Sequence, residues 1–490
     1  MTVEYDLIVI GSSTAATYAA VAAARLNARV ALIEPPQFKT NWLSSGATYT
    51  QALTQVGRIA TQMREAPVLG IHYSTVEPTD QPLVPSVQVT DTMQWVQAIA
   101  DTCSEQHSPA VLGSLGIDLI AEGGEFCRRP HLGFVVSNRR LRARAYLIAT
   151  GSRSDIPDID GLQAINYCTP ADICQPKFDQ KLQGRWLVLG DSPTAIEIAQ
   201  TFARLNCKVT LVTSTSRILP NEDPEASRLI QAQLETEGIC LLSESPVTQV
   251  RRIDNQTWVQ AGDRAIEVDE IMVAVGQQPN IEGLNLEGVG VRFNQQGLEF
   301  NEKLQTTNPR IYLCGDVVGD FRQAHIAQYE ASVALKNGLF FPWFKVDYRT
   351  RPSAIFCDPQ LARVGLTEAQ ARRRYGKDVF VVRQYFKTLD KAQLLGETTG
   401  FCKIVGRQNG EILGALIVGA DASELIGAIA LSMKQKINVK ALANLPHISP
   451  TLSQIIHQTA LEWQQQRQNR NQTLQNFLEG FFNFRRKWSS

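Results

Sequence analysis

Two stretches of this chain repeat one design. "YDLIVIGSSTAATYAAVAAARLNARVALIEPP", residues 5–36, runs as an apolar strand, a small-residue turn, an Ala-rich helix and a second strand ending in Glu34. "GRWLVLGDSPTAIEIAQTFARLNCKVTLVTSTSRILP", residues 184–220, does the same, with Thr213 where the acid would stand. Each predicts a βαβ unit, whose helix N-terminus can face a pyrophosphate and whose strand-end acid can accept from ribose hydroxyls. The glycine signature is altered in the same way twice. The first unit has Gly11, Ser13 and Ala16 at the three motif positions, and the second has Gly190, Ser192 and Ala195. Alanine is tolerated at the third position. Serine at the second adds a side chain where backbone and phosphate must approach, although its hydroxyl offers a phosphate a donor. Each motif alone leaves a dinucleotide site and a plain packing unit both open.

Three further strands, in "AYLIATGSRSDIPDIDG", "EIMVAVGQQPNIEGL" and "NPRIYLCGDVVGD", each run into a Gly turn. Their order with the two βαβ units predicts strand ends opening onto ligands. In the second unit, Thr213 is followed by Ser214, Ser216 and Arg217. Removing the acid lifts repulsion against a ribose 2′-phosphate and Arg217 can pair with one, which tilts the expectation from NADH towards NADPH.

A length of 490 residues predicts two to four domains, and 48 basic residues balance 48 acidic ones. No global field therefore recruits nucleic acid or an anionic membrane, and charge effects must be local. The N-terminus enters a strand pattern with no secretory leader, which predicts a cytoplasmic protein. Nine cysteines, at 103, 127, 168, 174, 207, 240, 314, 357 and 402, form no CxxC pair and no zinc spacing, so no metal site is expected. Most read as small buried hydrophobes, with Cys168 and Cys174 a solvated, reduced pair.

With these motifs in place, the chain resembles the pyridine nucleotide-disulfide oxidoreductases from about residue 4 to about residue 463. The resemblance implies an α/β fold with two Rossmann-like dinucleotide-binding domains, for FAD and NAD(P)H, plus a C-terminal α+β dimerisation domain and a homodimer. It divides the chain into residues 1–155 and 284–348 for FAD, 156–283 for NAD(P)H, 349–465 for dimerisation and 466–490 as an added tail. It further implies FAD contacts at Gly11, Ser13, Ala16, Glu34, Lys39, Asn41, Thr150, Gly151, Gly315, Asp316, His325 and Ala327. For NAD(P)H it implies Gly190, Ser192, Ala195, Glu197, Thr213, Ser214, Arg217 and Gly276. "RPSAIFCDPQLARVGLTEAQA" and "GFCKIVGRQNGEILGALIVGADASELIGAIALSM" are similar to the interface domain's first strand and its hairpin followed by a helix.

The family's redox segment, "GGTCVNVGCIPSKAL", lies without gaps on "KTNWLSSGATYTQAL", residues 39–53. The two redox cysteines become Trp42 and Ala47, and the flavin-side lysine becomes Gln51. The family's "HPTLSE" lies on "SPTLSQ", so the acid/base histidine becomes Ser449 and its orienting glutamate Gln454; His447 matches a different, non-catalytic histidine. Disulfide reduction needs a thiolate, a partner sulfur and a base. None of these five positions supplies one. The expectation is an FAD-dependent oxidoreductase passing electrons to a quinone, dye, oxygen or nicotinamide. The alternatives are a non-catalytic flavoprotein with a regulatory or scaffold role, and a chain that has lost FAD. Trp42 either stacks on an acceptor or fills the vacated space.

The tail places Leu474, Phe477, Leu478, Phe481 and Phe482 at helical spacing before Arg485, Arg486, Lys487 and Trp488. Covering the protein's own surface, lying on a membrane and docking a partner all remain open.

Overall fold

The computed structural model describes residues 3–38, 41–71, 87–175, 178–254, 256–294, 297–319, 323–470 and 472–488, without the side chains of 41–45, 470 and 474. The chain divides into two compact units, Met1–Ile218 with Glu235–Val346, and Leu219–Leu234 with Asp347–Ser490.

In the first unit, β1 (Tyr5–Ile10), α1 (Thr14–Ala24) and β2 (Val30–Ile33) form the first βαβ start. They are followed by α2 (Asn41–Glu65), α3 (Val89–Glu105), β3 (Asp118–Ile120) and β4 (Ala143–Ile148). The chain then builds a second sheet from β5 (Arg185–Leu189), α4 (Pro193–Arg204), β6 (Lys208–Val212), β7 (Cys240–Leu242) and β8 (Glu270–Val273). It returns to the first sheet with β9 (Ile311–Leu313) and α5 (Ala324–Leu339). The first sheet has the order β9-β4-β1-β2-β3 and the second β7-β6-β5-β8, both parallel throughout.

Parallel strands covered on both faces read as continuous apolar runs, and β1 shows why. Leu7 and Val9 face the Ala15, Ala16, Ala19, Ala20 and Ala23 side of α1, while Ile8 and Ile10 face Phe126, Phe134 and Tyr146. An alanine face lets α1 sit close on the sheet, so its N-terminus is held at the strand ends. In the second sheet, the Trp186 ring lies 4.8 Å from Phe202 of α4 and 6.0 Å from Phe178, and its Nε1 donates to the Lys181 carbonyl at 3.1 Å.

The second unit is an antiparallel sheet of β10 (Pro352–Ile355), β11 (Gln360–Gly365), β12 (Val379–Tyr385), β13 (Phe401–Arg407) and β14 (Ile412–Gly419). Its order is β10-β11-β14-β13-β12, and every residue of β14 is buried. The hairpin β13–β14 leads into α6 (Ala422–Lys434), and α7 (Gln454–Arg470) packs on β12 and β13 before α8 (Gln472–Trp488). No helix among the described residues is long and apolar enough to cross a membrane.

Candidate active site

Gly11 and Gly190 both sit at φ +136°, in backbone that favours glycine. A Cβ on Gly11 would overlap the Ala149 carbonyl oxygen, and one on Gly190 would stand 2.5 Å from that of Ala274. The serines two residues on bond to the same carbonyls. Ser13 Oγ donates to Ala149 O at 2.6 Å and accepts from Ala16 N–H at 3.3 Å; Ser192 Oγ donates to Ala274 O at 2.7 Å and accepts from Ala195 N–H at 3.2 Å. Each serine is therefore an N-cap clipped to the neighbouring strand, with its proton committed to a carbonyl. This corrects the expectation that the added hydroxyl turns to a phosphate. The cost falls harder on the second unit, where Pro193 occupies the first helical position and brings no N–H, and the Ala195 N–H is taken.

Around the first turn, Glu34 ends β2 half-buried, and its N–H donates to Ile120 O at 2.8 Å. Thr150, at the end of β4, is fully buried; its hydroxyl donates to Asn280 O while Asn280 Nδ2 returns a bond to Thr150 O at 3.2 Å. Asn280 N–H also reaches Gly151 O at 3.0 Å. The Thr150 side chain is thus a strut and faces no solvent. Gly315 N–H donates to the buried Glu330 carboxylate at 2.9 Å, and Asp316 Oδ2 lies 3.3 Å from the Ser152 hydroxyl. His325 is exposed in the first turn of α5 and Ala327 is buried. The ends of β1, β2, β4 and β9 thus gather Gly11, Glu34, Gly151 and Asp316 beside the N-terminus of α1, an arrangement that fits a dinucleotide with two phosphates. Lys39 and the side chain of Asn41 lie outside the described residues.

In the second crevice, Thr213 is buried and its hydroxyl accepts from Thr215 N–H at 3.0 Å. Ser214 is exposed, and Arg217, Glu197 and Gly276 are half-buried, with Gly276 O accepting from Asp155 N–H at 3.0 Å.

The stretch expected to align with the family's redox segment enters α2 at Asn41. Gly46 is buried, Ala52 and Leu53 face the core, and Ala47 and Gln51 share an exposed face one turn apart. The Trp42 side chain lies outside the described residues. Helix α2 is joined to α4 by Thr54 Oγ1 and Thr201 Oγ1 at 2.9 Å, and Gly57 lies against Arg204. This register runs parallel, which sets Gln51 and Glu197 one turn earlier on the two helices.

In the second unit Ser449 is exposed, and Gln454 Oε1 accepts from Thr451 N–H at 3.1 Å. His447 stacks on His457 with centroids 4.8 Å apart, and each Nδ1 lies within 3.2 Å of a backbone carbonyl. That pairing was invisible in sequence because the partner comes from the next helix.

All nine cysteines are free thiols. Cys168 and Cys174 are buried, not solvated; burial pushes them up to about 11 and about 12, and Cys168 also meets Lys181 Nζ at 3.2 Å. Burial likewise raises Cys207 to about 11 and Cys402 to about 12. Among the described residues no group of three or more His, Cys, Asp or Glu is placed to hold a metal.

Comparison with known proteins matches residues 5–331 to the pyridine nucleotide-disulphide oxidoreductase family and residues 351–460 to its dimerisation domain. The chain is 30% identical over 453 residues to a mercuric reductase of Staphylococcus aureus, covering 90% of this chain and 79% of that protein. It is 28% identical over 476 residues to the dihydrolipoyl dehydrogenase of Bacillus subtilis (strain 168), covering 93% and 98%. Among solved structures, the Cu(II) complex of the HOCl-induced flavoprotein disulfide reductase RclA of Escherichia coli shares the fold at TM-score 0.80 and 23% identity, over 94% of this chain and 99% of that one. LpdA of Mycobacterium tuberculosis does so at TM-score 0.81 and 24% identity, over 93% and 99%.

Proposed function

Because the chain belongs to the pyridine nucleotide-disulphide oxidoreductase family, we propose that it is an NAD(P)H-dependent FAD oxidoreductase that passes electrons to a non-disulfide acceptor such as a quinone, a dye, oxygen or another nicotinamide. The observation that supports this reading is a contrast: the strand-end crevice beside α1 keeps its acids and glycine turn, while Ala47, Gln51, Ser449 and Gln454 bring neither sulfur nor a base. The family is FAD-dependent, with NAD(P)H as electron donor.

In this reading residues 1–155 and 284–348 hold FAD, with Glu34 accepting from ribose hydroxyls and the start of α1 facing the pyrophosphate. Residues 156–283 hold the nicotinamide nucleotide. Bound FAD supplies hydride acceptance and electron transfer without help from cysteine. The protein's part is orientation and exclusion. Ala47 and Gln51 present a small and a neutral side chain on the face of α2 where the relatives' redox segment aligns, which leaves room for a planar acceptor. Residues 351–460 match the dimerisation domain, and the protein is a homodimer as in its family.

The tail extends the reading. Phe477 is 65% exposed, Phe484 58% and Trp488 81% in the single chain, so this helix does not bury its aromatic stripe on its own unit. Contacts at i, i+4 join Phe477 to Phe481 and Phe484 to Trp488. Arg485, Arg486 and Lys487 outnumber the lone acid Glu479 of α8 in a chain of zero net charge. An anionic membrane surface answers both features, since aromatics enter the interface and basic groups meet headgroups.

A preparation tests the central reading. The purified protein should be yellow, release FAD on denaturation, bleach anaerobically with NADH or NADPH, and turn over with a quinone but not with oxidised glutathione or lipoamide. Colourless protein sinks every flavin reading. A flavin that neither nucleotide reduces favours the non-catalytic alternative.

A further inference from the structure

The two nucleotide units differ in one exchange that neither motif displays. The residue after each turn glycine reaches into the loop that follows the second strand. In the first unit Ser12 Oγ donates to Phe38 O at 3.0 Å, and the strand-end residue is the acid Glu34. In the second unit Asp191 Oδ2 accepts from Thr215 Oγ1 at 2.8 Å, and the strand-end residue is Thr213. Thr213 Oγ1 is itself 2.8 Å from Thr215 Oγ1, so Asp191 is one shared hydroxyl away from the strand-end position. Acid and hydroxyl have changed places between turn and strand end.

We propose that Asp191 performs the ribose-reading role of the missing strand-end acid, and that the second crevice therefore selects the unphosphorylated ribose of NADH against the 2′-phosphate of NADPH. A carboxylate accepts from a ribose 2′-hydroxyl and repels a phosphate dianion, so the discrimination arises from an unmatched like charge at short range. The inference rests on the reading that this crevice holds NAD(P)H, and it reverses the tilt towards NADPH drawn from Thr213 and Arg217 alone. Arg217 shares the loop, with its carbonyl 2.8 Å from Thr215 Oγ1. Its guanidinium is the competing determinant, and the experiment sets one against the other. The clipped N-terminus of α4, without an N–H at Pro193 and with that of Ala195 held by Ser192, adds weight to the ribose contact because it weakens phosphate binding.

Calorimetric titration of the full-length flavoprotein with ADP-ribose and with 2′-phospho-ADP-ribose isolates the discriminating group without any electron transfer. The wild-type protein should bind ADP-ribose at least about tenfold more tightly, and Asp191→Asn should bring the two within about threefold. Asparagine keeps an oxygen to accept from Thr215, so the melting temperature should hold. Tighter binding of the 2′-phosphorylated fragment by the wild type, or an unchanged ratio in the folded variant, overturns the assignment of Asp191 and leaves the nucleotide reading standing. Binding of neither fragment overturns the nucleotide reading, and the assignment falls with it.

Discussion

Ser13 donates its hydroxyl proton to the carbonyl of Ala149 at 2.6 Å, a bond that ties the start of α1 to the end of β4 and recurs between Ser192 and Ala274. A motif position read as damage is a structural clip. Ser13→Ala and Ser192→Ala should each destabilise the protein by about 2 kcal/mol, from the lost cap and the orphaned carbonyl. Urea unfolding followed by tryptophan fluorescence checks this. Ser13→Gly should lose stability yet still retain flavin, because it removes the side chain from the phosphate approach.

Arg204 and Glu237 form a buried bidentate pair, with N–O distances of 2.7 and 2.8 Å. Their side chains are 6% and 14% exposed, against 45% and 60% for Arg153 and Glu282. Glu237→Ala leaves a guanidinium buried without its carboxylate and should cost about 3–5 kcal/mol, whereas Glu282→Ala should cost under about 1 kcal/mol. Because Arg204 lies against Gly57, the loss should also loosen α2 on α4. Equal effects of the two substitutions in denaturant melts would contradict this ranking.

The buried thiols give a pH prediction. Burial lifts Cys168 and Cys207 to about 11, and Cys174 and Cys402 to about 12. Raised values keep these groups protonated while an ordinary thiol ionises, so raising the pH from 7 to 9 should not recruit them to an aromatic disulfide reagent. Exposed Cys103 and Cys240 should account for the fast phase, half-buried Cys127 should follow, and the six buried thiols should appear only on unfolding. Mass-mapped labelling reads the sites directly. Fast labelling of Cys168 or Cys174 would reopen a role for that pair.

For the tail, sedimented or floated vesicles give the answer. Full-length protein should float with phosphatidylcholine vesicles containing phosphatidylglycerol, less so in high salt, and not with phosphatidylcholine alone. Phe481→Glu and removal of residues 472–490 should both abolish flotation. Equal flotation of the truncated form, or a shift of the intact protein to a higher oligomer that the truncated form lacks, would assign the aromatic stripe to another surface.

The two βαβ units, their glycine turns and the strand ends at Glu34, Thr150 and Asp316 were legible in sequence because buried parallel strands are continuous apolar runs and turns need small residues. The hairpin and helix of the second unit, an antiparallel element, were legible through the resemblance of "GFCKIVGRQNGEILGALIVGADASELIGAIALSM" to the family's interface domain. What sequence did not display is where side chains spend their hydrogen bonds. Ser13 looked like a phosphate donor until its carbonyl partner, 136 positions away, was known. Asn280, which locks Thr150 and Gly151, had only the string "QQPN" to announce it. Asp191 drew no notice because its partner Thr215 comes from a loop 24 residues on. The solvated state expected for Cys168 and Cys174 failed because a short, polar-looking segment packs against core.

The claim that electrons leave the flavin without a dithiol relay is tested most directly by counting reducing equivalents. Anaerobic titration of the homogeneous flavoprotein with dithionite, followed by absorbance, should reach full reduction after a single two-electron equivalent per flavin. No thiolate-to-flavin charge-transfer band should appear at long wavelength. Uptake of a second equivalent, or appearance of that band at half-reduction, would reveal a redox-active disulfide beside the flavin and contradict the account.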